Sequence, residues 1–370
     1  MGVVLVVNAG STSLKLSAVA PDGSAETVAS LAAAPAEIEA VAHRVVHGGE
    51  RFREPVVIDD EVERGLVELA ELAPLHNRPA LAAIDEARKL LPDVPHVAVF
   101  DTAFHATLPQ EAAVYPLPSR WRHDWGIRRY GFHGLSVQWA AERAPVRRLV
   151  VCHLGGGCSV TAVLDGRSLD TTMGFSPLEG VPMATRSGSI DAEIVLHLLR
   201  TGKLELEQVE RALENESGLL GLSGTSARVE ELERSDDPQS QLALAVFGYR
   251  IAGSVASIAV ALGGLDALVF TAGVGERSAP VRADVCKRLG FLGVTLDPDA
   301  NAAARPDADV AAQDSPVRVV VLHAREDVMA ATAARALLRL APQKSISSLP
   351  LRQPGGNSVR SIAADERVQA

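Results

Sequence analysis

The sequence predicts an α/β fold made of two related halves that face a shared cleft. Its main signal is a unit found three times, an aliphatic run that stops at a glycine-containing polar turn. Val3-Val4-Leu5-Val6-Val7 leads into Asn8-Ala9-Gly10-Ser11-Thr12-Ser13, and Leu149-Val150-Val151-Cys152-His153 into Leu154-Gly155-Gly156-Gly157-Cys158-Ser159. Leu268-Val269-Phe270-Thr271 leads into Ala272-Gly273-Val274-Gly275-Glu276. Unbroken apolar strands belong to sheets covered by helices on both faces. Helical periodicity at 59–72, 78–91, 192–199, 206–214, 240–262 and 327–340 supplies the covering layers, and Pro74, Pro92, Pro145 and Gly264 punctuate them.

After the first and second turns the pattern resumes as strands, at 15–19 and 160–164, rather than as a helix. A hairpin turn can still aim N–H groups and hydroxyls at a phosphate. Two such units about 145 residues apart imply two like domains with ligands between them. The expected division is 1–145 and 146–341, with the last helix, 327–340, free to pack back on the first domain. Residues 342–370 turn to Ser, Gln, Pro, Gly and Arg and read as a disordered tail.

With 370 residues the chain exceeds the roughly 250–300 that one core sustains. A net charge of −10 and no basic run beyond Arg-Arg pairs exclude a nucleic-acid or anionic-membrane surface, so an anionic substrate must be met by local cations. Three cysteines, Cys152, Cys158 and Cys286, show no zinc-like spacing and fit a reducing cytoplasm. No secretory leader is read at the N-terminus. The apolar stretch 251–265 is shorter than the ~18 residues of a membrane span and reads as a buried helix.

Asn8, Ser11, Thr12, Ser13 and Lys15 place an amide, three hydroxyls and an ammonium around one turn, as a phosphate cradle or a polar hairpin would. Gly155, Gly156 and Gly157 permit either a tight bend or close approach of a phosphate. Three such loops in one chain favour phosphate. Further polar clusters sit in apolar surroundings: His43-Arg44-Val45-Val46-His47, Leu75-His76-Asn77, Asp101 to His105, Arg129 to His133 and Thr185-Arg186-Ser187. None forms a zinc-hydrolase helix or a Gly-x-Ser-x-Gly elbow. Phosphoryl transfer asks instead for cations around the moving group, a bridging metal and aligned donors. Arg44, Arg186 and His133 suit the clamp, Asp101 and Glu326 could orient a magnesium ion and its waters, and Asn8 could add a neutral ligand.

In order and wording these motifs resemble the acetate kinase family from the first strand to about residue 340. The carriers are Asn8-Ala-Gly-Ser-Thr-Ser-Leu-Lys15, His43-Arg-Val-Val-His-Gly-Gly49, Phe100-Asp-Thr-Ala-Phe-His105 and Gly126-Ile-Arg-Arg-Tyr-Gly-Phe-His-Gly134. Asp170-Thr-Thr-Met-Gly-Phe-Ser-Pro-Leu-Glu-Gly180, Thr185-Arg-Ser-Gly188 and Phe270-Thr-Ala-Gly-Val-Gly-Glu276 follow. The resemblance implies the actin/Hsp70/sugar-kinase-like (ribonuclease H-like) fold, a homodimer, and reversible transfer between ATP and acetate giving acetyl phosphate and ADP. It implies magnesium as cofactor, replaceable by manganese, at Asn8 and Glu326. Asp101, His133, Arg186 and Arg44 would be catalytic, and Arg44, Val46, Leu75, His76, Phe132 and Pro177 would meet the acyl substrate. Nucleotide would contact Ser11, Ser13, Lys15, His153, Leu154, Gly155, Gly156, Gly157, Arg228, Val229, Glu230, Gly273, Val274, Gly275, Glu276 and Arg277.

The chain departs from the family pattern in four places. The segment before Arg44 is shortened, and so is the helix before His153. Gly156 stands where Asn is usual. Ser189 stands where Asp is usual, which removes a carboxylate expected near Arg186. Arg228-Val-Glu230 reverses the usual acidic-then-basic order. Alternatives are a propionate or other short-chain acyl kinase, a pyrophosphate or GTP donor, and a nucleotide-binding protein with weakened catalysis.

Overall fold

A computed structural model describes residues 2–9, 14–70, 74–341, 343, 348 and 349, apart from the side chains of residues 74–76. Ser11 and Ser13, the side chains of Leu75 and His76, and most of the expected tail lie outside it.

Among the described residues twelve strands form two six-stranded sheets. The first contains β1 (Val3–Ala9), β2 (Leu14–Val19), β3 (Ala25–Val28), β4 (Ile38–Val45), β5 (Val56–Val57) and β6 (His96–Phe100). The second contains β7 (Arg148–Leu154), β8 (Cys158–Leu164), β9 (Arg167–Thr171), β10 (Ala267–Thr271), β11 (Ala308–Asp309) and β12 (Arg318–Leu322). Their orders, 3-2-1-4-6-5 and 9-8-7-10-12-11, are the same path taken twice. In each, an antiparallel meander of three strands (1-2-3, 7-8-9) is extended by two parallel strands and ends on a short antiparallel edge. The duplication inferred from two hairpin motifs therefore extends to whole sheets.

Both faces of both sheets are covered, which is why the strands read as unbroken apolar runs. On the first sheet Val4, Val6, Ala42 and Val99 pack on the last helix, Glu326–Leu338, through Val328, Met329 and Ala331. Leu5, Val7 and Val41, pointing the other way, meet Ala83 and Ala87 of the helix Pro74–Leu90. On the second sheet Val150, Cys152, Leu268 and Phe270 pack with Phe247, Ile251 and Val255 of the helix Pro238–Leu262, while Val151 and Val269 face Val137 and Ala140 of the helix Gly134–Arg143.

A helix from late in the chain thus covers a sheet made by its beginning. Arg335, fully buried, anchors it by donating to the carbonyls of Gly2 and Val19 at 3.0 and 3.2 Å. Of the tail, Leu349 donates its N–H to the Arg143 carbonyl at 2.9 Å.

The six periodic segments form helices near their expected bounds: Asp60–Leu69, Pro74–Leu90, Ala192–Arg200, Leu206–Asn215, Pro238–Leu262 and Glu326–Leu338. Gly134–Arg143 was not legible because it buries side chains around much of its circumference, and Ala279–Arg288 because its one buried face, Val281, Arg282, Val285 and Cys286, includes an arginine and so shows little amphipathic contrast. The third glycine turn differs from the other two: β10 runs directly into a short helix, Ala272–Arg277.

Helix Pro238–Leu262 has the length and composition of a membrane span. Here Ala243, Phe247, Ile251, Val255, Ile258 and Leu262 are buried on the protein. Leu242, Tyr249 and Val260 on the opposite side are exposed, as are Ile194, Leu196 and Leu199 of the helix Ala192–Arg200.

Candidate active site

A cleft of about 840 Å³ opens between the C-terminal ends of the parallel strands of the two sheets. This is where crevices form in open α/β sheets. Asn8 and Arg44 are the next-to-last residues of β1 and β4 and Asp101 follows β6, and parallel register sets Asn8 beside Arg44. Across the cleft His153 is the next-to-last residue of β7 and Gly155, Gly156 and Gly157 form the turn to β8.

Arg44 is held on several sides. Its Nε and Nη2 fork onto Asp101 Oδ1 and Oδ2 at 2.8 and 2.5 Å, and Nη1 donates to Asn8 Oδ1 at 3.0 Å. Glu326 Oε2, from the first turn of the last helix, lies 3.4 Å from the same Nη1. Burial opposes the charge on Arg44, but Asp101 and Glu326 outweigh it and hold the guanidinium above its ordinary pKa. Burial raises the pKa of Asp101, and the Arg44 fork works against it. Two charge-assisted bonds are the geometry of an ionised carboxylate.

Asp101 is 1% exposed and both its oxygens are taken, so it does not line the cleft as a free carboxylate. Its backbone ties two parts of the site together. Its N–H donates to the Val45 carbonyl at 3.1 Å, and its carbonyl accepts from Gly134 at 2.9 Å, just after His133.

His133 adopts a left-handed backbone, φ 60°, at the start of helix Gly134–Arg143, a conformation that costs a non-glycine residue roughly 1–2 kcal/mol. Its ring stacks on His153, with centroids 4.0 Å apart. Nδ1 meets Ser159 Oγ at 3.1 Å, and His153 Nδ1 meets Ser136 Oγ at 2.8 Å. Burial, then His153, Arg44 and Arg186, lower the His133 pKa well below the usual imidazole range. His153 is pushed down to about 4 by burial, with Arg44 adding to the effect. Both rings are neutral at neutral pH.

Gly157 makes the close approach possible, since a Cβ there would lie 3.2 Å from His133 Nε2 and 3.5 Å from Arg186 Nη2. Arg186 is thereby placed beside His133, although 53 residues separate them in the sequence. A Cβ at Gly156 meets nothing within 4 Å, so that position is open.

Lys15 pairs in register with Asn8 and, with Arg228, Val229, Glu230, Gly273, Val274, Glu276 and Arg277, lines the same cleft. Two expected contacts are corrected. Leu154 is wholly buried in the core of the second sheet, because alternate residues of a strand face opposite ways, and Gly275 lies on the inner side of the short helix Ala272–Arg277, against Phe270. Glu276 bridges within the protein: its carboxylate accepts from Ala324 N–H at 2.9 Å and contacts His323 at 2.8 Å. Arg277 Nε donates to Glu230 Oε1 at 3.1 Å, with Arg228 3.5 Å from Glu230. The reversed charges of this segment therefore pair among themselves. Of the acyl-side set, Val46 and Phe132 belong to the core beneath His133, and the Pro177 carbonyl accepts from Arg186 at 2.9 Å.

Among the described residues no three His, Cys, Asp or Glu side chains converge on a metal-sized space. Asn8 and Glu326 meet at Arg44 Nη1. One neutral and one anionic oxygen donor fit a hard divalent cation that takes its remaining ligands from water and phosphate.

Like sheets closing on a glycine loop, two arginines and a neutral histidine define a phosphotransferase cleft. Residues 25–332 match the sequence model of the acetokinase family. The chain is 51% identical to the acetate kinase of Gloeobacter violaceus over 305 residues, 79% of this chain and 75% of that protein. It superposes on the propionate kinase of Francisella tularensis with a TM-score of 0.83 at 32% identity, covering 90% of this chain and 99% of that one. For the acetate kinase of Porphyromonas gingivalis the TM-score is 0.81 at 32% identity, with 91% and 100% covered. The chain belongs to the acetokinase family, and the fold expected from the resemblance is its fold.

The buried histidines make stability depend on pH. His43, His105 and His153 have pKa values lowered by burial from 6.5 to about 3, 4 and 4. They stay neutral in the fold but take up protons once the chain unfolds. Their contribution is complete above pH 6.5 and is lost as the pH falls toward 4, for His43 toward 3. The urea midpoint should fall steadily between pH 7.5 and pH 5; an unchanged midpoint would show the rings to be charged in the native state.

Proposed function

We propose that this protein is an acetate kinase that moves the γ-phosphoryl group of ATP onto acetate and back, giving acetyl phosphate and ADP. The observation that carries the reading is the grouping of His133, Arg186 and the Gly157 turn opposite the Arg44–Asp101 pair, in a chain of this family. An acetate oxygen attacks phosphorus in line, the bond to the bridging oxygen breaks, and ADP leaves with the electron pair. Acetate is already an anion at neutral pH, so no base is needed, and Asp101 serves by holding the Arg44 fork in place.

With Ser159 donating to Nδ1, neutral His133 carries its proton on Nε2 and offers a hydrogen bond to the phosphoryl oxygens. Arg186 offers charge from the other side. Such donors act most strongly on charge that develops in the transition state. Asn8 and Glu326 would hold magnesium, which neutralises phosphate charge. Val46, Phe132 and Pro177, with Leu75 and His76, would bound the acyl group, and Lys15 and the glycine turn would meet the nucleotide phosphates. The three unpaired, buried cysteines suit a cytoplasmic setting.

A coupled assay with acetate, ATP and magnesium tests the activity. Wild-type protein should turn over at roughly 1–100 per second, and Arg186→Ala should lose about 10²–10³-fold in kcat. No turnover on acetate or propionate by folded protein would exclude the reading.

The self-paired charges at Arg228, Glu230 and Arg277 favour testing a second donor reading, and GTP and pyrophosphate in the same assay decide it. At Gly156 the open space accepts a side chain. Gly156→Asn should therefore restore a phosphate donor and lower the KM for ATP several-fold, since one hydrogen bond to a charged group contributes roughly 1.5–3 kcal/mol before ordering costs. An unchanged or raised KM would show that residue 156 does not reach the phosphates.

We also propose a homodimer that covers the exposed apolar faces of the helices Ala192–Arg200 and Pro238–Leu262. Light scattering should give twice the chain mass, and Tyr249→Glu with Val260→Glu should halve it while circular dichroism is retained. A wild-type monomer would rule this out.

A further inference from the structure

Arg186 lies in a loop fastened on both sides to the end of the helix Leu206–Asn215. Thr185 Oγ1 donates to the Glu214 carbonyl at 2.8 Å, and Ser187 N–H donates to the Leu213 carbonyl at 3.0 Å. The guanidinium itself has two anchored sides. Nη1 donates to the Pro177 carbonyl at 2.9 Å, and Nε faces Glu214 Oε2 at 3.7 Å. Nη2 is directed toward Gly157 and His133, and no hydrogen-bond partner for it is found among the described residues.

Local structure alone disfavours a carboxylate at position 214. It lies in the last turn of its helix, at the negative end of the macrodipole. Its side chain is 17% exposed, and burial raises its pKa, with Arg186 opposing the rise and Glu210 adding to it. Arg186 is the cation that makes an ionised Glu214 tolerable. Residue 189, where the family pattern leads one to expect Asp, is Ser, and its Oγ accepts from the Gly180 N–H at 3.1 Å. It brings no charge to Arg186.

We propose that Glu214 is the positioning residue for Arg186, supplying the orienting carboxylate that is absent at position 189 and turning Nη2 toward the transferring phosphoryl group. This rests on the reading of Arg186 given under Proposed function. At 3.7 Å the contact is an ion pair rather than a hydrogen bond, so the loss of charge matters more than the loss of shape.

Glu214→Gln keeps the shape and removes the charge. Its kcat should fall about 10- to 100-fold, the range expected when a reacting group shifts by about 1 Å, with the KM for ATP and the thermal midpoint unchanged. Glu214→Asp should recover part of the loss. Glu216→Gln, which removes the exposed pair with Arg211 at 3.0 Å, should behave as wild type. Crystal structures of wild type and Glu214→Gln provide a readout independent of turnover: Arg186 should leave Gly157 in the variant. A wild-type kcat, a loss explained wholly by unfolding, or an unmoved Arg186 overturns the proposal. If the wild-type protein phosphorylates no carboxylate, the activity reading fails by itself, and the position of Arg186 in the two structures still decides this one.

Discussion

The Arg44–Asp101 ion pair is the contact on which the rest of the site depends. Two charges out of water are costly, and removing one partner of such a pair typically costs ~3–5 kcal/mol. Arg44 and Asn8 are the next-to-last residues of β4 and β1, Asp101 follows β6 and Glu326 opens the last helix. One guanidinium therefore joins three strand ends and the start of the helix Glu326–Leu338. The carbonyl of Asp101 then caps Gly134 and sets the backbone from which His133 projects. Stability and chemistry share these residues, so loss of Arg44 would expose a buried carboxylate as well as remove a cation from the cleft.

Duplication accounts for the cleft. Each sheet follows the same strand path, and each opens its first hairpin turn at the C-terminal end of a parallel strand. Facing the two ends toward one another brings the Asn8–Arg44 register pair of one sheet opposite His153 and the glycine turn of the other. The last helix fixes this arrangement by covering the first sheet while its leading residue, Glu326, enters the site.

The two ends of the cleft are held differently. At one end Arg186 keeps Nη2 toward Gly157, and burial with the neighbouring Arg44 lowers the pKa of both His133 and His153. At the other end Arg228, Glu230 and Arg277 pair with each other, so any ligand there meets an existing charge network. Rearrangement of charge also marks the region around Arg186, where the carboxylate beside the arginine is Glu214.

By itself the sequence determined what depends on near neighbours. Strand runs, six helices, the repeated hairpin and the residue types of the clamp were all legible, because periodicity and turn chemistry act over a few residues. Tertiary structure decided what depends on distant ones. Asp101 lies 57 residues from Arg44 in the sequence, and only strand pairing makes them partners and turns an apparently free carboxylate into a committed one. Strand alternation sends Leu154 into the core although it stands inside the glycine motif. Ser189 left Arg186 without the carboxylate that the family pattern places next to it, and the structure sets Glu214, from the end of another helix, 3.7 Å away. Ionic contacts are set by where elements end in space, and no local pattern in the chain records that.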